Sequence, residues 1–343
     1  MAVTGNTTQG PVEVHHEIPD AATAWWTVGP GQGEFRSEPL PGISDGEASV
    51  RTLFTGVSRG TESLVARGEV PVSEHERMRA PFQAGEFPFP VKYGYLNVGT
   101  VEHGPAALHG RTVFSLFPHQ SRFVVPADAL HPVPEAVPPR RAALAGAVET
   151  AVNVLWDAAP LVGDRIVVVG AGMIGAAIAR VARSIPGSEV TLVDVDPARA
   201  TTAEALGVGF VLASEELPGA DVVIEASGAG AGLQLALGIA PTDGEVIVAS
   251  WYGSRAVSLE LGADFHSRRI AIRPSQVGAI AVRRRASRTM RNRLAIALRL
   301  LEDPAYDALL GGTTSWRRLP EVTAALADGT AGELCHTIDW TAE

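Results

Sequence analysis

Residues Arg165 to Gly175 read Arg-Ile-Val-Val-Val-Gly-Ala-Gly-Met-Ile-Gly, an apolar β-branched run that breaks into a G-x-G-x-x-G turn and continues as an alanine-rich helix. A strand feeding a helix through three such glycines leaves little choice of fold. Gly170 permits the tight turn, Gly172 lets backbone approach a pyrophosphate, and Gly175 allows the helix to pack closely on the strand. The helix start, at Met173 and Ile174, offers free N–H groups and the positive end of the helix dipole to phosphate. The next strand ends in Asp194, 22 residues beyond Gly172. A carboxylate there accepts hydrogen bonds from ribose hydroxyls and repels a 2′-phosphate. The following residues are Val195, Asp196, Pro197 and Ala198, so no arginine stands ready for that phosphate before Arg199. The motif predicts a dinucleotide site with NAD as the cofactor.

The surrounding sequence extends this unit in both directions. Short apolar runs at Glu189–Asp194, Asp221–Glu225, Glu245–Ser250 and Ile270–Arg273 leave room for helices between them. Strands alternating with helices predict a doubly wound parallel sheet. From about Trp25 to Pro138 the texture differs: Gly and Pro are frequent, and β-like runs such as Ala48–Phe54, Thr100–Glu102 and Arg122–Val125 are short. That pattern predicts an irregular, mostly antiparallel β domain. Helical patterns cover Arg140–Asp157, Met290–Leu301 and Leu319–Ala327, and a closing strand is expected near Leu334–Asp339. Ligands in open parallel sheets bind outside the carboxyl ends of the strands. Ser227, Ser250 and Gln276 lie in the loops expected there, each as an ordinary loop residue or as a contact on the nicotinamide side.

Bulk properties narrow the classes. With 343 residues, 46% hydrophobic and 19% charged, the composition is globular and two domains fit the length. The net charge of −10 argues against a general affinity for nucleic acid or an anionic membrane. Met1–Asp20 is polar, lacks the basic-then-apolar order of a signal peptide and is expected to be loosely ordered. The longest apolar run, Ile166–Ala179, is too short to span a bilayer, so no membrane association is expected and the chain reads as cytoplasmic. Cys335 is the single cysteine, which leaves no intrachain disulfide and no multi-cysteine metal site. Nine arginines between Arg268 and Arg293 read as a solvated surface, or as a few contacts to an anionic group of a small-molecule substrate.

Thr55-Gly-Val-Ser-Arg-Gly-Thr-Glu62, Val124-Val-Pro-Ala127, the helix before the glycine turn and Gly329-Thr-Ala-Gly-Glu-Leu334 together resemble the medium-chain dehydrogenase/reductase superfamily over nearly the whole chain. The resemblance implies an α/β chain with a GroES-like, mostly-β catalytic domain (residues 1–150 and 281–343) and a Rossmann domain (151–280). It also implies a homo-oligomer, dimer or tetramer. Zinc-dependent members carry a cysteine in the first motif and Gly-His-Glu in a second. Here Ser58 or Arg59 stands at the cysteine position, depending on the anchor, and Tyr95 within Tyr93-Gly-Tyr-Leu-Asn97 stands at the histidine. Glu149 keeps a position where some members use a carboxylate ligand. One carboxylate cannot hold a catalytic zinc, so no metal is expected. Ser-Arg-Gly-Thr-Glu, Pro118-His-Gln120 and Ser250-Trp-Tyr-Gly253 look most like the bacteriochlorophyllide a dehydrogenase branch, which implies oxidation of a secondary alcohol to a ketone.

Without a metal, hydride chemistry on an alcohol needs a proton acceptor and donors for the developing alkoxide. Tyr95 and His119 are the expected acid/base pair, with Arg59 or Thr61 polarising the oxygen and Glu149 touching a ligand or orienting Arg59. The residues leave bland alternatives open: a packed tyrosine, a structural histidine, an Arg59–Glu62 ion pair. Quinone or enoyl reduction, and NAD(H) binding without catalysis, are the competing functions.

Overall fold

A computed structural model describes residues 20–342. The expectations for residues 1–19 lie outside that range. The first part of the chain builds two antiparallel sheets. Strands β1 (Ala21–Gly29) and β2 (Gln32–Pro39) form a hairpin, and β3 (Glu47–Val57) leads into helix α1 (Arg59–Arg67). Then come β4 (Ala84–Gly85), β5 (Val91–Lys92), β6 (Asn97–His103), β7 (Thr112–Ser115), β8 (Arg122–Pro126) and β9 (His131–Pro132). The smaller sheet has the order β2-β1-β5-β4. Helix α2 (Pro139–Ala142) and the longer α3 (Ala145–Ala158) follow. The expected single helix is therefore broken at 143–144.

The middle of the chain is the doubly wound sheet. Its elements are β10 (Arg165–Val169), α4 (Met173–Arg183), β11 (Glu189–Asp194), α5 (Arg199–Ala205), β12 (Gly209–Leu212), β13 (Val222–Glu225), α6 (Gly230–Ile239), β14 (Glu245–Val248) and β15 (Ala271–Pro274). All pairs are parallel in the order β12-β11-β10-β13-β14-β15. The order reverses at β10, and the crevice outside the carboxyl ends of β10 and β13 is where such sheets bind nucleotides. Strand β10 is buried over Ile166–Val169, which is why its four apolar residues run without alternation. Strand β12 escapes the sequence pattern because it is four residues long and only half-buried.

The last elements return to the first sheet. After α7 (Met290–Leu300), β16 (Leu310–Ser315) and α8 (Leu319–Asp328), strand β17 (Cys335–Asp339) inserts between β16 and β3, completing the order β16-β17-β3-β6-β7-β9, with β8 on β3. Helix α3 joins the two halves: it packs on α4 and α7, and its buried alanines and valines belong to one continuous core with β10 and α4. Among the described residues no helix is long and apolar enough to cross a membrane.

Candidate functional site

The three glycines of the turn answer to different demands. Gly170 has φ +102°, and a Cβ there would lie 2.5 Å from the Ser227 nitrogen. A Cβ on Gly175 would lie 1.8 Å from the Gly170 oxygen. The fold itself requires both. Gly172 is different: a Cβ would meet nothing nearer than Arg59 Nη2 at 3.9 Å, and its φ of −73° is open to any residue. As the N-cap of α4, Gly172 has no side chain to accept from the first-turn N–H groups of Met173, Ile174 and Gly175. Those donors and the helix dipole face the crevice as an anion cradle.

Asp194 stands beside this turn. One carboxylate oxygen accepts from the Ala171 N–H at 2.6 Å and the other from the Asp196 N–H at 3.0 Å. Arg199 is committed elsewhere, pairing with Asp196 at 3.2 Å and donating to the Gly332 carbonyl at 3.0 Å. Arg59 reaches the same loop and donates to the Ala331 carbonyl at 3.2 Å. Burial depresses the Arg59 pKa and nearby Arg199 adds to this, while Asp194 and Asp196 oppose it. Arg59 therefore belongs to the glycine turn, away from the alcohol-polarising role expected of it, and Glu62 has other partners.

Those partners form a buried network. Glu62 accepts from the Ser58 N–H at 2.7 Å and bonds His119 Nε2 at 3.0 Å. His119 Nδ1 bonds Thr55 Oγ1 at 2.7 Å, and Thr55 also accepts from the Trp340 indole at 3.0 Å. His119 is 3% exposed and both its nitrogens are taken. It has none left for a substrate, which departs from the shared acid/base role expected from its sequence; its role here is to hold Glu62. Tyr95 is only half-buried, at the edge where β5 gives way to β6, with Tyr93 edge-on at 5.9 Å and Trp251 in the same apolar cluster. Burial pushes its hydroxyl up to about 12, with the neighbouring Ser58 and Thr61 hydroxyls pulling it back. Tyr95 thus lies beside the Ser58 and Thr61 hydroxyls, with the Glu62 carboxylate close enough to act on it.

Glu149 faces a partner that local reading did not single out. Arg293, 1% exposed on α7, donates to its carboxylate at 3.0 Å, to Asn153 Oδ1 at 2.5 Å and to the carbonyls of Val277 (2.5 Å) and Ala279 (3.2 Å). Burial raises the Glu149 pKa and Arg293 opposes the rise. Arg59 is not its partner. A zinc ion would need three protein ligands. Among the described residues no three His, Cys, Asp or Glu side chains converge, and the one carboxylate at these positions already carries a guanidinium.

The other arginines of the cluster have mostly local work. Arg268 caps the carboxyl end of α6 at Leu237 and Ala240, and Arg273 pairs with Glu245 and Asp157. Arg283, Arg284 and Arg288 are exposed.

The loops at the strand ends are organised by Glu225, which sequence reading missed. Its carboxylate is fully buried and accepts from Ser227 N–H (2.7 Å), Ser227 Oγ (2.6 Å), Gly228 N–H (3.2 Å) and the Tyr252 hydroxyl (2.8 Å). The Ser227 hydroxyl also accepts from the Ala229 N–H, so it is turned into the protein. Ser250 Oγ accepts from the Gly228 N–H at 2.8 Å. Gln276 is exposed, with its amide 3.8 Å from Met78 Sδ.

No family model matches the chain. It is 35% identical over 150 residues to L-threonine 3-dehydrogenase of Mesorhizobium japonicum, and 28% identical over 141 residues to probable D-xylulose reductase A of Aspergillus terreus. Each match takes in 36% of this chain and about two fifths of the relative's length (42% and 40%). L-idonate 5-dehydrogenase of Escherichia coli superposes with a TM-score of 0.76, 15% identity and coverage of 93% of this chain and 98% of that one. A short chain alcohol dehydrogenase of Escherichia coli, complexed with NADH, gives 0.73, 17%, 94% and 100%. The chain has the medium-chain dehydrogenase fold. At these identities the likeness to solved structures is one of architecture, with the mostly-β part and the parallel sheet both included.

Proposed function

We propose that this chain is an NAD(H)-dependent oxidoreductase that interconverts a secondary alcohol and a ketone by hydride transfer, without a catalytic zinc. The observation that carries the reading is Gly172, bare where nothing in the protein crowds it, at an uncapped helix start beside Asp194. The pyrophosphate would lie over Met173, Ile174 and Gly175, with Arg59 as a further cation, and the adenosine ribose would meet Asp194. Asp194 and the commitment of Arg199 to Asp196 and Gly332 favour NAD over NADP. The relatives and neighbours named above include a threonine 3-dehydrogenase, a xylulose reductase and an alcohol dehydrogenase, which supports an alcohol or ketone as the small-molecule substrate. The bacteriochlorophyllide-like motifs make hydroxyethyl-type secondary alcohols the first compounds to try.

Bound NAD(H) supplies the hydride. The protein's part is proton handling and positioning. In the reductive direction Tyr95, held protonated by its surroundings, donates its proton to the carbonyl oxygen and regains one from solvent through the Ser58 and Thr61 hydroxyls; the oxidative direction runs the same transfers in reverse. Glu62 and His119 position Ser58, and Arg293 holds Glu149 and the loop that carries Gln276.

Purified protein incubated with a panel of secondary alcohols should produce reduced nicotinamide absorbance with NAD⁺ and little with NADP⁺. Equal or greater activity with NADP⁺ would remove the role given to Asp194; clear NADH binding with no turnover of any alcohol or ketone would leave a binding protein. Gly172→Ala gives a sharper test of the cradle. It should cost no more than about 1 kcal/mol of stability, since the conformation is open to alanine, yet weaken NADH binding on the order of tenfold. Unchanged affinity would mean that the turn is not the phosphate site.

A further inference from the structure

Glu149 and Glu225 are both buried carboxylates, and the protein treats them oppositely. Glu149 is matched by a guanidinium. Glu225, at the very end of β13 and paired in register with Val169 just before Gly170, is fully buried and met by four neutral donors: two backbone N–H groups and two hydroxyls. Neutral donors satisfy a carboxylate's lone pairs but leave its net charge in place, and in a poorly polarisable interior that charge acts over a longer distance than it would in water. Burial first, and the adjacent Glu225 carboxylate second, raise the Tyr252 pKa.

Position gives the charge a use. Gly170 abuts Ala226 and Ser227 directly, and the Gly228 N–H bridges to Ser250 at the end of β14. The anion therefore sits under the two loops at the crevice, on the side opposite Asp194, where a dinucleotide lying across the glycine turn would place its nicotinamide half. The oxidised nicotinamide ring is a cation and the reduced ring is neutral. We propose that Glu225 is a charge-specific positioning residue whose buried anion favours the oxidised over the reduced cofactor. The inference rests on reading the crevice as a dinucleotide site. A carboxylate that merely stapled the loops would hold both forms equally; one that keeps its charge distinguishes them.

The experiment is calorimetric and fluorimetric titration of the full chain with NAD⁺ and NADH at about pH 8. In Glu225→Gln the amide keeps acceptors for the backbone donors but carries no charge, so NAD⁺ affinity should fall about tenfold while NADH affinity changes by about twofold or less. Tyr252→Phe serves if that variant does not fold. It removes a dipole that offsets the anion, so the ratio of NAD⁺ to NADH affinity should rise by about threefold. Equal weakening of both forms in Glu225→Gln, or an unchanged or lower ratio in Tyr252→Phe, would overturn the proposal and leave Glu225 as a staple. Failure of the unmodified protein to bind either form would overturn the dinucleotide reading itself, and this inference with it.

Discussion

Tyr95→Phe should lower turnover at least ~10²-fold, the low end for loss of a general acid/base, while NADH affinity stays close to that of the unmodified protein. The reasoning is geometric. Tyr95 shares a cluster with the Ser58 and Thr61 hydroxyls, and it is the member of the pair with His119 that remains partly exposed. With its hydroxyl pushed up to about 12, it stays protonated across the assay range. The reductive rate should therefore show no Tyr95 titration between about pH 6 and 9. Phenylalanine keeps the ring against Tyr93 and the apolar cluster, so the fold should persist. Steady-state kinetics in the reductive direction, with NADH binding measured separately, checks both parts. Near-normal turnover in Tyr95→Phe would remove it from the chemistry and turn attention to Ser58 and Thr61.

Arg293→Met should be the most destabilising single change in the site, by about 3–5 kcal/mol, the usual penalty for breaking a buried ion pair by removing one partner. Methionine roughly fills the volume but leaves Glu149 charged and unpaired, and strips donors from Asn153 and from the Val277 and Ala279 carbonyls. Burial already raises the Glu149 pKa with Arg293 opposing it, so losing the guanidinium raises it further. A raised folded-state pKa means the folded protein holds the proton longer than the unfolded chain, so stability falls as pH rises through that value. The deficit of Arg293→Met should accordingly be smaller at about pH 5 than at about pH 8. Adding Glu149→Gln should recover much of it at the higher pH. Urea unfolding of the three proteins at the two pH values gives the measurement; a pH-independent deficit would mean that packing, and not the stranded carboxylate, carries the loss.

What the sequence made legible was the part encoded locally. Arg165–Gly175 contains its own strand, turn and helix start, and the roles of Gly170 and Gly175 follow from atoms within that unit and its neighbouring strand. Asp194 was legible because its distance from the turn is set by one helix and one strand. The remainder depends on partners far along the chain. Nothing near Arg293 separates it from the exposed arginines that precede it; only the packing of α7 on α3 takes it into the core. Glu225 ends a strand as any solvated residue might, and its burial is decided by Tyr252 from the next loop. His119 carries the chemistry expected of a catalyst, but Thr55 and Glu62, 64 and 57 residues away in the sequence, occupy it. Residue type told which groups could do chemistry; the tertiary fold decided which were left free to do it.

The placement of β17 has a consequence for how the protein is made. Strand β3 leaves the ribosome long before β17, yet its end, Phe54–Val57, takes one of its partners from His336–Asp339, and the Thr55 hydroxyl waits for the indole of Trp340. The parallel sheet, by contrast, is complete once Pro274 has emerged. The middle of the chain can thus close during synthesis while the segment before it stays unsealed, with an unpaired strand edge open to other chains. That part closes only once β17 has emerged and paired with β3. A chain cut before Leu334 would be stranded at that stage, with its parallel sheet formed and its mostly-β part ajar.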